Sequence, residues 1–306
     1  MPMMEMVSLP GTDLTVSRIG LGTVGFGSSV GEVLAWDQLD TYHALGGNLI
    51  DTAHVYGDWV PGEKSPSEKI IGRYLSHHRR EDYVLCTKGG HFDLANRSLS
   101  RVTPKDLKED LDQSLDFLQT GSVDIYMLHR DNPELEVGRI MDSLSAFVED
   151  GRVRYLACSN WTAERHAEAN AYAEKHGLPG FAVNELMWSM ASANPGSLPS
   201  DQVMMDDEML AFGRRAGISF FCYTALARGY LTKRYLGLET RGAKDYQNAA
   251  NEALVVELKK LPSAADVTRA SLRFFVREDV PCVPLVSFSD MRQLEECCEA
   301  FIRKDG

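Results

Sequence analysis

Short apolar runs alternate with segments of helical apolar spacing along most of the chain. Each run has the length and composition of a buried strand, and in the segment after it apolar residues return every three or four positions, as in an amphipathic helix. The predicted strands after an N-terminal hairpin are 49–50, 83–88, 123–128, 153–158, 181–183, 218–222 and 282–285. The predicted helices are 36–45, 65–75, 103–118, 137–148, 162–176, 206–216, 264–276 and 290–302.

The two parts of the chain outside this pattern are the N-terminus and a stretch before the last strand. Two β-like runs within residues 7–22, separated by a turn at 10–13, predict the hairpin, with 17–22 as its second run. Residues 228–262 are predicted to be irregular. No linker, charge block or low-complexity segment divides the chain, so we expect residues 1–306 to form a single domain.

The strand-then-helix repeat predicts the fold class. The seven predicted strands and eight predicted helices indicate eight such units, and repeated units of this kind give parallel strands. Eight in one domain favour an α/β fold of the (β/α)8 barrel type, here with an N-terminal β-hairpin. The alternative is an open doubly wound sheet, which usually carries a glycine-rich phosphate turn after its first strand. The glycines of 22–27 do not form a GxGxxG motif that opens a helix.

Composition and charge limit the classes of partner and the cellular compartment that we expect for this protein. Of the 306 residues 44% are hydrophobic and 25% charged, and the net charge is -12. An acidic protein is a poor match for nucleic acid or an anionic membrane, so we expect neither as a partner. The six cysteines have no metal-ligand spacing, which predicts buried free thiols and no metal site. Without a leader-type N-terminus or a run of membrane-spanning length, we predict a cytoplasmic protein.

Polar residues stand at the carboxyl ends of the predicted strands. They are Asp51, Lys88, His129, Ser159, Asn160, Glu185 and Tyr223. In a barrel these strand ends meet on one face, where active sites of this fold lie. The sequence therefore predicts that these side chains lie close together.

Four residues of this face form a candidate acid–base group: Asp51, Tyr56, Lys88 and His129. A tyrosine has an ordinary pKa of about 10, and a nearby ammonium favours the tyrosinate and lowers that pKa. Asp51 would hold Lys88, and His129 could orient a carbonyl or alcohol oxygen. Such a site suits proton transfer to an oxygen while hydride reaches the neighbouring carbon. The hydride must come from a nicotinamide cofactor.

The chain closely resembles the aldo-keto reductase superfamily. The matching segments occur in the family's order over nearly the whole chain. They are Ile50-Asp51-Thr52-Ala53 with Tyr56-Gly57, Thr87-Lys88, residues 123–130, residues 151–155, Ser159-Asn160-Trp161 and residues 223–229. Each segment alone is weak, but the ordered set is specific.

The resemblance implies a barrel that uses NADP(H) or NAD(H), with Tyr56 as general acid in reduction and general base in oxidation. It implies that Ser159 and Asn160 bind the nicotinamide carboxamide and that Tyr223 stacks on the ring. Residues 225–231, among them Ala225, Leu226, Arg228, Gly229 and Leu231, would approach the pyrophosphate. Residues 284–296, with Ser287, Ser289 and Arg292, would face the adenosine 2'-phosphate.

Two positions depart from the family pattern. Glu185 stands where the family usually has glutamine, and as an anion it would favour the cationic oxidised ring and thus alcohol oxidation. Residues 286–293 lack the lysine or arginine expected near their start, and Arg292 is the single cation there. Arginine suits phosphate geometry, so NADPH and NADH both remain candidates.

The substrate prediction is broad. We expect a small aldehyde, ketone or sugar-like polyol, with Trp59, His91 and Trp161 as candidate contacts in an aromatic pocket. The loops at 57–67, 89–102, 191–205 and 230–262 would shape it. The chain could be a monomer or a homo-oligomer.

Simpler and rival interpretations stand beside these predictions. Asp51 could cap a helix, Lys88 could be a surface charge, His129 a paired core histidine, and the aromatic residues loop anchors. A cofactor-binding regulatory or sensor subunit with slow turnover, as in superfamily members that associate with membrane channels, is the rival function. A barrel enzyme for phosphorylated substrates is a third interpretation, but it lacks a clear glycine phosphate loop after the seventh strand.

Overall fold

Eight parallel strands close into a barrel at the centre of the protein. The computed structural model describes residues 3–197, 199–240 and 243–303. Its strands are β1 (Met3–Met4), β2 (Met6–Ser8), β3 (Thr15–Ser17), β4 (Gly20–Gly22), β5 (Leu49–Asp51), β6 (Val84–Gly89), β7 (Val123–Leu128), β8 (Val153–Ser159), β9 (Phe181–Met187), β10 (Ser219–Tyr223), β11 (Cys282–Val286) and β12 (Ile302–Arg303). Strands β4 to β11 form the barrel in chain order, and β11 pairs with β4 to close it.

Helices surround the barrel and alternate with its strands. They are α1 (Glu32–Ala44), α2 (Pro66–Leu75), α3 (Pro104–Leu118), α4 (Val137–Glu149), α5 (Ala163–His176), α6 (Asp207–Ala216), α7 (Tyr230–Tyr235), α8 (Ala243–Tyr246), α9 (Ala249–Leu258), α10 (Ala264–Arg273) and α11 (Met291–Glu299). Side-chain caps fix several starts. The Thr103 hydroxyl, for example, accepts from Asp106 N directly before Pro104 of α3.

The predicted (β/α)8 barrel is confirmed, with one correction to its first strand. Seven barrel strands match the runs predicted after residue 22. The eighth is β4, which lies inside the run 17–22 that the pattern assigned to the hairpin. The hairpin is shorter than predicted: β2 pairs antiparallel with β3, and Val7 stands opposite Val16. The error arises because the second hairpin strand and the first barrel strand follow each other with only two residues between them.

The hairpin covers the end of the barrel where the strands begin. Asn48, just before β5, accepts a hydrogen bond from Ser17 N at 2.8 Å and donates to Thr15 O at 2.9 Å. Leu9, Leu14 and Val16 pack against barrel residues. The barrel residues of that cluster are Leu49, Val84, Cys86, Ile125, Met127, Ala157, Val183, Phe221, Val283 and Leu285. Because the hairpin closes this end and side chains fill the interior, we expect a binding site at the opposite end, where the strands end.

Two predictions about the C-terminal third are wrong. The stretch predicted to be irregular holds three helices, α7 to α9, with a buried cluster that includes Tyr230 and Tyr246. The last helix ends at Glu299 rather than near residue 302, because Ile302 and Arg303 pair with Met4 and Met3 as β12 and β1. Residues 241–242 of the irregular prediction lie outside the described residues.

The thiol prediction is confirmed, since all six cysteines are free and buried. Across residues 3–197, 199–240 and 243–303, no helix is long and apolar enough to cross a membrane.

Candidate active site

A buried charge cluster lies where β5 and β6 end. Asp51 is the last residue of β5 and pairs with Cys86 of β6. Lys88 follows Cys86 by two positions, so the side chains of Cys86 and Lys88 point to the same face of the sheet. The Lys88 ammonium donates to Asp51 Oδ1 at 2.5 Å, to Thr52 O at 3.1 Å and to Tyr56 Oη at 3.2 Å. All three of its N–H groups thus have acceptors.

The ion pair keeps Lys88 charged although the side chain is fully buried. Burial alone would lower the pKa of Lys88, but Asp51 first and Glu185 second raise it well above its ordinary value. A buried charge without such partners would be costly. Lys88 is therefore an ammonium at any pH of interest.

Tyr56 does not have the lowered pKa expected from the sequence. Burial raises the pKa of Tyr56 above its ordinary value, and Asp51 and Glu185 raise it further, while Lys88 opposes them. The effect of Lys88 has the expected sign but is smaller than the effect of burial. Tyr56 is consequently a protonated phenol at neutral pH and can donate its proton.

His129 completes the group that the sequence predicted at this face. Its ring centroid is 5.8 Å from that of Tyr56, and the side chain is 7% exposed. Burial, helped by the positive charge of Arg130, lowers the pKa of His129 well below its ordinary value. The imidazole is thus neutral and can donate one hydrogen bond to an oxygen.

Glu185 lies at the same face, as the sequence predicted, and it also contacts Lys88, which the sequence did not predict. It lies on β9, paired with Ser159 of β8 and Phe221 of β10, and its Oε2 is 3.4 Å from Lys88 Nζ. Burial and the charge of Asp51 raise the pKa of Glu185 to about 8. The raised pKa favours the neutral carboxyl in the free protein, whereas the sequence predicted an anion; the charge of Glu185 stays a prediction.

A polar chain of Tyr223, Asn160 and Ser159 adjoins this cluster. Tyr223 Oη donates to Asn160 Oδ1 at 2.8 Å, and Asn160 Nδ2 donates to Ser159 Oγ at 2.9 Å. Ser159 Oγ in turn donates to the backbone oxygen of Glu185 at 3.2 Å. The three predicted nicotinamide contacts are thus brought together by the ends of β8 and β10.

These side chains line one cleft of about 880 Å³ that continues to the start of α11. The volume falls within the usual range for small-molecule and cofactor sites. Of the sequence-predicted residues it is lined by Asp51, Tyr56, His129, Ser159, Asn160, Glu185, Tyr223, Ala225, Leu226, Arg228, Gly229, Ser287, Ser289 and Arg292. Leu231 is not among the lining residues, because its side chain is buried in the cluster of α7 to α9.

We call Asp51, Tyr56, His129 and Glu185, together with the buried Lys88 behind the cleft lining, the inner end of the cleft. Two buried polar atoms there have no hydrogen-bond partner, His129 Nδ1 and Glu185 Oε2. Buried polar atoms are rarely left unpaired in proteins. A polar group such as a carboxamide or a carbonyl would fit this end of the cleft.

We call Ser287, Ser289, Arg292, Gln293 and Glu296 the outer end. Ser287 Oγ donates to Gly22 O at 2.7 Å, and Ser289 Oγ donates to Gln293 Oε1 at 3.0 Å. The Arg292 side chain is 80% exposed, and its nearest carboxylate oxygen, on Glu296, is 3.9 Å away. Phe288, between the two serines, is buried in the core.

Backbone strain is concentrated at the cleft. Asn160, Thr224 and Arg228 line it with φ of 61°, 56° and 56°, and Ala227 next to them has φ of 49°. Left-handed φ values are uncommon outside glycine, and in a β-branched threonine they mark an outlier. Such conformations tend to be kept where function requires them.

The three predicted substrate contacts have different positions. Trp59 is 50% exposed, with its ring centroid 6.3 Å from that of Tyr56. His91 lines a second cavity of about 430 Å³ between residues 54–64 and 88–95, and its ring centroid is 4.7 Å from that of His129. Trp161 is fully buried against Phe181, so its predicted contact with substrate is wrong.

Some cleft residues were missed by the sequence. Gln202 belongs to the loop that returns from β9, and Thr232 and Lys233 belong to α7, within the stretch predicted to be irregular. The apolar spacing of Tyr230, Leu231 and Tyr235 could have indicated that helix. Nothing in the sequence indicates the contact between Glu185 and Lys88, because β6 and β9 are not neighbours in the barrel.

A family model described as "Aldo/keto reductase family" matches residues 18–305. The chain belongs to the aldo/keto reductase family. Norsolorinic acid reductase B of Aspergillus parasiticus is 31% identical over 196 residues, which are 60% of this chain and 50% of that protein. Protein tas of Escherichia coli K12 is 28% identical over 266 residues, which are 79% of this chain and 74% of that protein. The chain thus spans only half the length of the first of these family members.

A solved structure has the same fold as this aldo/keto reductase family chain. It is a thermostable aldo-keto reductase in complex with the inhibitor epalrestat, and it superposes with a TM-score of 0.70 at 21% identity. The match covers 97% of this chain and 94% of the other.

Proposed function

We propose that this protein is an NAD(P)-dependent oxidoreductase that interconverts a carbonyl compound and the corresponding alcohol. In the reducing direction a carbonyl, a reduced nicotinamide and a proton give an alcohol and an oxidised nicotinamide. Family membership and the name of the reductase relative support this reaction class. The observation that carries the proposal is the 3.2 Å contact between Tyr56 Oη and Lys88 Nζ at the inner end of the cleft.

The nicotinamide, when bound, supplies or accepts the hydride. The residues of the chain handle the proton. Tyr56 donates its phenolic proton to the substrate oxygen in reduction and takes it back in oxidation. Lys88 stabilises the tyrosinate that remains, because its ammonium already contacts Tyr56 Oη, and Asp51 holds Lys88 in place at 2.5 Å. The neutral His129 donates a hydrogen bond that orients the substrate oxygen.

The cofactor would lie along the cleft from the inner to the outer end. Ser159, Asn160 and Tyr223 offer polar and aromatic contacts for the nicotinamide. Arg228 and Lys233 line the middle of the cleft and add positive charge for the diphosphate. The outer end would take the adenosine, with Arg292 as its one cation. A small aldehyde, ketone or polyol is the proposed substrate class.

A panel of carbonyls and alcohols, assayed with NADH, NADPH, NAD+ and NADP+, tests the proposal. It is run on the wild type, on Tyr56→Phe and on Tyr172→Phe. Tyr172 is the matched control, because its hydroxyl contacts Asp142 and does not line the cleft. We expect Tyr56→Phe to lose about 10²–10⁴-fold in rate, the usual contribution of a general acid–base group, while it still binds cofactor. Turnover by Tyr56→Phe equal to that of the wild type would contradict the proposal.

A further inference from the structure

Glu185 is a second carboxyl group beside the lysine of the proposed site. Its Oε2 and Tyr56 Oη both lie within 3.4 Å of Lys88 Nζ. The three N–H groups of Lys88 are used by Asp51, Thr52 O and Tyr56. Glu185 is therefore not needed to neutralise Lys88, and its Oε2 has no hydrogen-bond partner.

The side chain of Glu185 is 3% exposed and lines the cleft. Its Oε2 has the 3.4 Å ion-pair contact with Lys88 but no well-formed hydrogen bond, so a polar group of a ligand in the cleft could complete its surroundings. Ser159 of β8 is directly paired with Glu185, and Tyr223 lies two positions beyond Phe221, the residue of β10 that is paired with Glu185. Glu185 thus faces the part of the cleft in which the ring of the cofactor would lie.

The charged and titratable groups around Glu185 come from four elements. They are Asp51 of β5, Tyr56 of the following loop, Cys86 and Lys88 of β6, and Cys222 and Tyr223 of β10. Burial raises the pKa values of both thiols and both phenols, so these four groups are neutral near pH 7. Burial raises the pKa of Asp51 as well, but its ion pair with Lys88 and its hydrogen bond with Glu185 oppose this, so we assign the negative charge to Asp51. Glu185, with a pKa raised to about 8 by burial and by Asp51, carries the exchangeable proton.

We propose that Glu185 selects between the two redox forms of the cofactor by giving up its proton when the oxidised form binds. This inference rests on the proposed function. The oxidised nicotinamide ring is a cation and the reduced ring is neutral. With Glu185 protonated, Asp51 and Lys88 cancel and nothing balances a cationic ring. With Glu185 ionised, the cluster has one negative charge in excess, which matches the cation and not the neutral ring.

Linkage fixes the sign and size of the effect. An opposite charge within about 4–6 Å lowers the pKa of a carboxyl by 1–3 units. Each unit corresponds to a tenfold tighter binding of the cation by the ionised carboxyl. The affinity for the oxidised cofactor therefore rises about tenfold or more as pH rises through the pKa of Glu185, while the affinity for the reduced cofactor stays level or falls.

The test is a calorimetric count of protons released on cofactor binding. NAD+ and NADH are titrated into the wild type in buffers of different ionisation enthalpy, at about pH 6.5, 7.5 and 9. We expect the wild type to release a large fraction of a proton when NAD+ binds near pH 7.5, and none when NADH binds. Glu185→Gln, which places the usual family residue here, should release none with either cofactor and should show an affinity ratio that no longer changes with pH.

Glu68→Gln is the matched control. Glu68 is also a fully buried glutamate, and burial raises its pKa to about 7, but it contacts Thr87 and does not line the cleft. Its variant should release the proton as the wild type does. Equal proton release by the wild type and Glu185→Gln, or no release by the wild type in spite of binding, would overturn the inference alone. If the wild type bound no nicotinamide dinucleotide, the proposed function would fail and the inference with it. The number of protons that the wild type releases tests the inference even if Glu185→Gln does not fold.

Discussion

The inner and outer ends of the cleft are built in different ways. At the inner end Lys88 is fully buried and has Asp51, Thr52 O, Tyr56 and Glu185 within 3.4 Å. At the outer end Arg292 is 80% exposed, with its nearest carboxylate 3.9 Å away. In the proposed function, proton transfer would depend on groups held by the strand ends, whereas recognition of the adenosine would depend on side chains that solvent screens.

Removal of the Lys88 cation should give the largest difference in stability between a change at the inner end and the same change at the outer end. In Lys88→Met, Asp51 loses its ion pair and is left in a buried site, which costs about 3–5 kcal/mol of the free energy of unfolding. Arg292→Met, the same change at the outer end, should leave that free energy nearly unchanged because exposed charges contribute little. Chemical denaturation of both variants measures the difference. Similar stability of the two would show that the inner end is not the tightly paired cluster described above.

The pH dependence of turnover should differ between the two directions of the reaction. The pKa of Tyr56 is raised by burial. A general acid must be protonated, so reduction should be level through neutral pH and fall only as pH rises through that pKa. Oxidation needs the base form and should rise with pH, about tenfold per unit below the pKa. Measurements of kcat/KM in both directions from about pH 6 to about pH 10 test this expected pH dependence. An oxidation rate that is level over this range would contradict the role of Tyr56.

Tyr223→Phe should give an intermediate effect at the nicotinamide contacts. The variant keeps the aromatic ring but loses the 2.8 Å hydrogen bond to Asn160, which contributes about 1 kcal/mol. We expect cofactor to bind about fivefold more weakly, with little change in the rate of turnover at saturation. Fluorescence titration against the wild type measures it, and Tyr172→Phe again serves as the control. Unchanged cofactor affinity would show that the Tyr223, Asn160 and Ser159 chain does not orient the bound ring.

Arg292→Ala should give the smallest effect, and only with a phosphorylated cofactor. An exposed cation contributes little, so we expect NADPH to bind at most about fivefold more weakly and NADH to bind as before. Titration of both cofactors distinguishes the two. A much larger loss, or an equal loss for NADH, would show that the outer end holds the adenosine more tightly than its exposed geometry indicates.

The same contrast explains what the sequence could predict. Asp51, Lys88 and His129 each follow a strand that its apolar run makes visible, and the barrel brings the strand ends to one face. At the outer end the spacing predicted the helix that carries Arg292, but α7 to α9 were missed, and their buried residues form a separate cluster with Met187 and Val267. Nor could the sequence predict the pKa of Tyr56, because it depends on how far burial outweighs Lys88.

Some differences between the predicted and the observed contacts arise from the local backbone, and others arise from the closure of the barrel. Trp161 follows Ser159 and Asn160 directly, yet the left-handed backbone at Asn160, with φ of 61°, redirects the chain and the indole packs on Phe181 in the core. The contact of Glu185 with Lys88 joins residues far apart in sequence and on strands that are not adjacent. Only the closure and register of the barrel bring them together.

The most direct measurement is the rate of hydride transfer in a single turnover by Tyr56→Phe. Enzyme loaded with reduced cofactor is mixed with a carbonyl substrate found in the panel, and the decay of the reduced nicotinamide absorbance is followed in the stopped flow. The account predicts that the variant binds cofactor as the wild type does and transfers hydride about 10²–10⁴-fold more slowly. Hydride transfer at the wild-type rate, with the phenolic oxygen gone, would contradict the claim that Tyr56 supplies the proton.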